Sequence, residues 1–113
     1  MKLSNPLHFV DNNGEAHTFY CRLGKYKDGT LAITLVEFLG EDYPEPYMHL
    51  SVNLDGWTGR KTQTETRAYV NINDYGFGVL RFIQETGIGK PTGITCMSGF
   101  LQYPLYEFDL EKI

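Results

Sequence analysis

The sequence predicts an α+β domain: a mostly antiparallel sheet of about five strands with one helix packed on one face, in the order β-β-β-β-α-β. Segments in the first half of the chain either alternate apolar and polar residues or run apolar for several positions, the two patterns of strands. Glycine-containing turn signals separate them at hairpin spacing. One stretch, Tyr75 to Thr86, carries apolar residues at helical spacing, and a closing apolar segment comes after it.

Leu7 to Val10 is the first strand. Asn12-Asn13-Gly14 follows as a turn, because Asn and Gly both tolerate positive φ. From His17 to Leu23 the pattern has period two: His17, Phe19, Cys21 and Leu23 share one face, and Thr18, Tyr20 and Arg22 the other. Lys27-Asp28-Gly29 turns the chain into Leu31 to Phe38, which is apolar on both faces and so expected to be central in its sheet or covered on both sides. Gly40 to Pro46 reads as a polar loop whose prolines suit no strand. Tyr47 to Leu54 alternates most cleanly, with Met48, Leu50, Val52 and Leu54 on one face and Tyr47, His49, Ser51 and Asn53 on the other. Asp55 to Thr66 reads as an exposed loop or mobile hairpin. Arg67 to Ile72 is a short strand or an extended approach to the helix.

In the helix, Asn73 or Asp74 supplies the N-cap. Val79, Leu80 and Ile83 form its apolar stripe, while Gly76 and Gly78 weaken its first turns. Gly87 suits the left-handed position just past the helix end, with Ile88 packing back and Pro91 preventing a restart. In the aromatic tail, Leu105 to Phe108 closes the sheet as the last strand.

The chain has 113 residues, the size of one domain spanning 1–113. Its net charge is −4 and Arg60-Lys61 is its one adjacent basic pair, so no basic stripe exists for non-specific nucleic-acid binding. Two separated cysteines and an N-terminus with no long apolar stretch point to a reduced, cytoplasmic protein with no membrane span.

The catalytic motifs fail on detail. Gly87 to Gly93 resembles a phosphate loop, but Gln84 stands where its first glycine belongs, Pro91 stands where Ser or Thr should follow Lys90, and the segment follows a helix. A helix cap and turn explain it better. His17 shares strand parity with Cys21 and points inward, as a zinc or nucleophile constellation or, more simply, as a buried histidine satisfied by hydrogen bonds. Cys96 has no adjacent base and reads as a buried structural thiol. No catalytic, metal or cofactor residue is assigned, and the expectation is no enzyme and no cofactor.

Aromatic residues give the one positive surface signal. There are 8 tyrosines and 7 phenylalanines, more than a small core readily absorbs. The candidate partner-binding residues are Glu41, Asp42, Tyr43, Glu45, Tyr47, His49, Trp57, Arg60 and Lys61, in or beside the loops.

The tail also carries a pattern: Thr92-Gly93, then Ser98-Gly99-Phe100, then Tyr103-Pro104-Leu105-Tyr106, then Phe108-Asp109. With Leu31-Ala32-Ile33, Ser51-Val52-Asn53-Leu54, Phe82-Ile83 and Gly87-Ile88-Gly89 upstream, it resembles a small family of uncharacterised domains from phages and conjugative elements of gut bacteria. Asp55 to Arg67 and Asn71-Ile72-Asn73 depart from the pattern. The resemblance transfers no catalytic residue. It implies an accessory protein of a mobile element, in the cytoplasm of the bacterial host, that binds a host protein and blocks a defence component, such as a CRISPR effector nuclease. A sponge for a small-molecule or nucleotide signal, built as a homo-oligomer, is the alternative. A structural or interaction module with no defence role, and an enzyme using His17, Cys21 or Cys96, complete the range.

Overall fold

In the computed structural model, residues 5–38, 44–73 and 76–113 are described. Expectations that fall on Glu41, Asp42, Tyr43, Asp74 and Tyr75 therefore lie outside the described residues.

The first four strands are β1 (Leu7–Val10), β2 (Ala16–Lys25), β3 (Leu31–Phe38) and β4 (Pro44–His49), and they form one antiparallel sheet in that order. The two turn signals make twin hairpins. Asp11 N–H donates to Glu15 O and Gly14 N–H to Asp11 O; Tyr26 N–H donates to Thr30 O and Gly29 N–H to Tyr26 O. Each loop is thus a tight turn with glycine in its last position, the form expected of three-residue hairpin loops.

A second antiparallel sheet follows: β5 (Ser51–Val52), β6 (Arg67–Val70), β7 (Gly89–Ser98) and β8 (Leu101–Phe108), in the order β5-β6-β8-β7. Between these strands lie a single turn of helix, α1 (Asp55–Thr58), and the main helix, α2 (Val79–Thr86). The α+β class stands. The expected single sheet of about five strands is corrected to two sheets of four among the described residues.

The reason lies at Leu50. The alternating run Tyr47 to Leu54 is not one strand; it changes partner midway. Leu50 N–H donates to Ile33 O in the first sheet, and Leu50 O accepts from Asn71 N–H beside the second. Alternation persists through Leu50, although Met48 and Leu50 pack into one hydrophobic cluster and Val52 and Leu54 into another. The prolines of Gly40 to Pro46 were expected to exclude a strand, yet Pro44 and Pro46 belong to β4. β4 is an edge strand, where two missing N–H groups on one side of the strand are tolerated.

The main core lies between the first sheet, α2 and one face of the second sheet. It contains Phe9, Phe19, Ile33, Leu35, Leu50, Val70, Phe82, Ile83 and Phe108, all nearly inaccessible. Each such side chain contributes about 1.5–3 kcal/mol on burial. A smaller cluster of Leu54, Tyr69, Cys96 and Leu105 fills the opposite face of the second sheet. It is roofed by the segment expected to be an exposed loop or mobile hairpin. There Gln63 is 6% exposed; its Oε1 accepts from Leu54 and Asp55 N–H, and its Nε2 donates to Thr30 and Asn53. Tyr69 OH meets Thr62 Oγ1 at 2.6 Å. A polar sequence concealed a buried hydrogen-bond network.

The helix begins at Val79, later than expected, and Asn73 does not cap it; the alternative cap Asp74 lies outside the described residues. Gly78 is the N-cap at φ 89°, a conformation that ends helical geometry upstream. At the other end Gly87 takes the expected left-handed position, its N–H bonded to Ile83 O, and Ile88 is fully buried. The next segment differs from expectation: Gly89 onward is β7, so the apparent phosphate loop runs into an edge strand. The tail is accordingly a hairpin of two strands, not one closing strand.

Candidate functional site

Period-two alternation in β2 turns His17 inward beside Phe19. Pairing with β3 sets Phe19 opposite Glu37, so Glu37 lies diagonally across from His17. On the other side the β1–β2 turn brings back Asp11. As a result His17 Nδ1 lies 2.8 Å from Glu37 Oε2, and Nε2 lies 2.8 Å from Asp11 Oδ2. With a carboxylate against each nitrogen, both nitrogens donate, and the ring is held as the imidazolium.

The electrostatics agree. Burial alone would lower the His17 pKa, but the hydrogen bonds to Asp11 and Glu37 outweigh it and raise the value. Asp11 is held below the usual carboxylate range, first by His17 and then by the Glu15 N–H. Its Oδ1 accepts from the N–H groups of Asn13 and Glu15, so the turn itself organises the carboxylate. Phe19 stacks on the imidazole at 4.8 Å, and Tyr47 meets it edge-on at 5.2 Å. Glu15 lies close by: one ligand atom from each of Asp11, Glu15 and His17 falls within 4.8 Å of the others. A pocket of about 370 Å³ opens beside this cluster, lined by Asp11, Asn13, Tyr47, Asn71, Asn73 and Phe77.

Cys21 lies on the same face but is 1% exposed, and burial pushes its thiol up to about 12. A thiolate nucleophile is therefore not available there near neutral pH. Cys96 is buried and free of any disulfide.

Two further surfaces stand out. Ser98 pairs with Leu101, so Gly99 and Phe100 form a two-residue hairpin loop. Gly99 has φ 61°, as the first residue of such a loop requires. Phe100 at the tip is fully exposed, Met97 is 59% exposed and Leu101 37%. Elsewhere, a cleft of about 740 Å³ lies between α2 and the second sheet, with Arg81, Gln84, Lys90, Pro91, Tyr106 and Lys112 on its walls.

The residues expected to bind a partner divide between the sheets. Glu45, Tyr47 and His49 lie along edge strand β4. Tyr47 is 42% exposed, but its ring also makes edge or tilted contacts with His17, Phe19 and Phe77. Trp57 belongs to α1, and Arg60 and Lys61 follow it, exposed. Arg60 Nη1 donates to Thr95 O, which ties this loop to β7. Asp11 and Glu37 are absent from the sequence-based candidates, and Phe100 enters only through the tail pattern, not as a partner-binding candidate. The signal for Glu37 is its place as the one charged residue in a strand whose other members, Thr34 apart, are apolar.

No curated protein and no solved structure matches the chain at a significant level. Residues 8–113 match one protein family, nearly the whole chain, and the chain belongs to it: Domain of unknown function (DUF4313).

Proposed function

We propose that this protein acts by binding rather than catalysis: an accessory protein of a phage or conjugative element that uses the β7–β8 hairpin tip to hold and block a host defence protein. The observation that carries this reading is Phe100. A fully exposed phenylalanine contributes nothing to packing, and Met97 and Leu101 extend it into an apolar tip. Phenylalanine and methionine are enriched where proteins meet. The partner this tip fits is a protein with an apolar cleft. Arg60, bonded to β7, places the basic pair Arg60-Lys61 beside the hairpin.

The setting rests on the resemblance, whose tail segment Ser98 to Tyr106 is this hairpin. It suggests a CRISPR effector nuclease as the target. Wild type and Phe100→Ser, each immobilised against a host lysate, test the tip. One protein retained by wild type and lost by F100S is expected; equal retention by both overturns the reading. A cleavage assay with the purified effector tests the target, and undiminished cleavage overturns the defence-blocking form.

A second reading, sequestration of an anionic nucleotide signal, is favoured by the cleft, where Lys90, Lys112 and Tyr106 offer charge and a ring to stack on. Thermal unfolding with a nucleotide panel decides it. No shift with any member eliminates it.

A further inference from the structure

We infer that Asp11, Glu15 and His17 form a site for zinc(II), with Glu37 holding His17 in its ligating orientation. The site is separate from the hairpin tip, so it stands or falls independently of the binding role.

The donors come from one short segment. Asp11 opens the β1–β2 turn and Glu15 closes it, joined by the bond from Asp11 N–H to Glu15 O. His17 follows two residues later, the spacing that keeps two strand side chains on one face. The ligand atoms of all three lie within 4.8 Å of one another. A tetrahedral zinc with bonds of about 2.0 Å needs its ligand atoms about 3.3 Å apart. His17 Nε2 and Asp11 Oδ2, now 2.8 Å apart, must therefore open by only about 0.5 Å. Glu15 is exposed, so its carboxylate has room to swing in. Zinc takes the place of the Nε2 proton, which leaves to solvent.

Three further observations point to a cation. Glu37 holds Nδ1 at 2.8 Å, leaving Nε2 as the ligating nitrogen. A carboxylate behind a histidine in this way is the usual second partner at metal sites. The cluster also has surplus negative charge. Asp11, Glu15 and Glu37 share one imidazole, and among the described residues no Lys or Arg forms an ion pair with any of them. Arg81 reaches the same turn but donates to Val10 O, Asn12 Oδ1 and Glu85. Finally, Asp11 alone of the three ligands lines the adjacent pocket, whose walls mix Asn13, Asn71 and Asn73 with Tyr47, Met48 and Phe77, and this opening gives water a route to the remaining coordination position.

The test is calorimetric titration of the chelator-stripped chain with zinc at pH 7.5, with visible absorption of the cobalt(II) form as a report on four-coordination. One equivalent of zinc is expected. Glu15→Gln and His17→Ala each weaken binding by at least about tenfold, and Glu37→Gln by about 10–100-fold. Glu15 is exposed, so E15Q folds even where H17A does not; its unfolding curve in chelator should match that of wild type. Absence of stoichiometric zinc binding overturns the assignment. So does binding that E15Q leaves intact and that disappears when the exposed His8 and His49 are replaced by alanine.

Discussion

The imidazole of His17 and the carboxylate of Glu37 meet at 2.8 Å across two paired strands, although 20 residues separate them in the chain. Asp11 closes the other side of the ring at the same distance. The imidazolium bridges the β1–β2 turn to β3, so its protonation is linked to folding.

The direction of that linkage fixes a pH profile for the metal-free chain. The folded pKa of His17 is raised, so its contribution is full below about 6.5, the unfolded value, and is lost as pH rises through the folded value. The folded pKa of Asp11 is lowered, so its contribution is present above about 3.9 and is lost as pH falls through the folded value. Among the described residues, Asp11, Glu37, Glu15 and Tyr47 are the titratable groups around the imidazole. Thermal unfolding in chelator should therefore peak between about pH 4 and 6.5 and decline on the alkaline side. His17→Gln should flatten that decline. A wild-type midpoint that holds constant from neutral to alkaline pH would contradict the bridge.

Gly78 should tolerate no side chain. Its φ is 89°, and an added Cβ would lie 2.7 Å from Asn12 Oδ1, the same atom that receives Arg81. Left-handed backbone costs an L-residue about 1–2 kcal/mol, and the displaced Asn12 adds to it. Gly78→Ala should thus destabilise by about 2 kcal/mol or more in urea unfolding. Gly29 is the control: its φ is 84° but nothing lies within 4 Å, so Gly29→Asn should cost less than about 1 kcal/mol.

The parts of this fold that can be read from sequence are the local ones. Asn13-Gly14 and Asp28-Gly29 specify their turns within a few residues, and the period of two from His17 to Cys21 fixes which side chains enter the core. Gly87 marks the helix end for the same reason. What could not be read depends on distant partners. The alternation through Leu50 is identical whether the strand keeps one sheet or passes to a second. Asp55 and Gln63 look like loop residues because their bonding partners, Leu54, Asn53 and Thr30, are assembled only by folding. The site divides in the same way: the inward turn of His17 follows from parity, but its pairing with Glu37 needs the β2–β3 register.

Gln63 offers a direct measure of that hidden network. Its buried carbonyl receives two N–H groups, and its amide gives two hydrogens in a part-buried setting. Gln63→Ala leaves the Leu54 and Asp55 N–H groups without their acceptor, at about 1–3 kcal/mol. Urea unfolding should show that loss. A change below about 0.5 kcal/mol would mean that the segment behaves as the open loop its composition suggests.

Phe100 should behave in the opposite way. Its ring is fully exposed, so Phe100→Ser removes no packing, and stability should stay within about 0.5 kcal/mol of wild type. Gly99 keeps the turn, and the pairing of Ser98 with Leu101 is untouched. If the tip docks in a partner's apolar cleft, the same substitution should cost about 2 kcal/mol or more in binding, roughly 30-fold in Kd. Stability and affinity are then separated by one residue: an unfolding curve superimposable on wild type together with lost partner capture is the expected pair of results. A destabilised F100S would show that the tip is packed against the chain itself, and the contact surface would then have to be sought along β4, at Glu45, Tyr47 and His49.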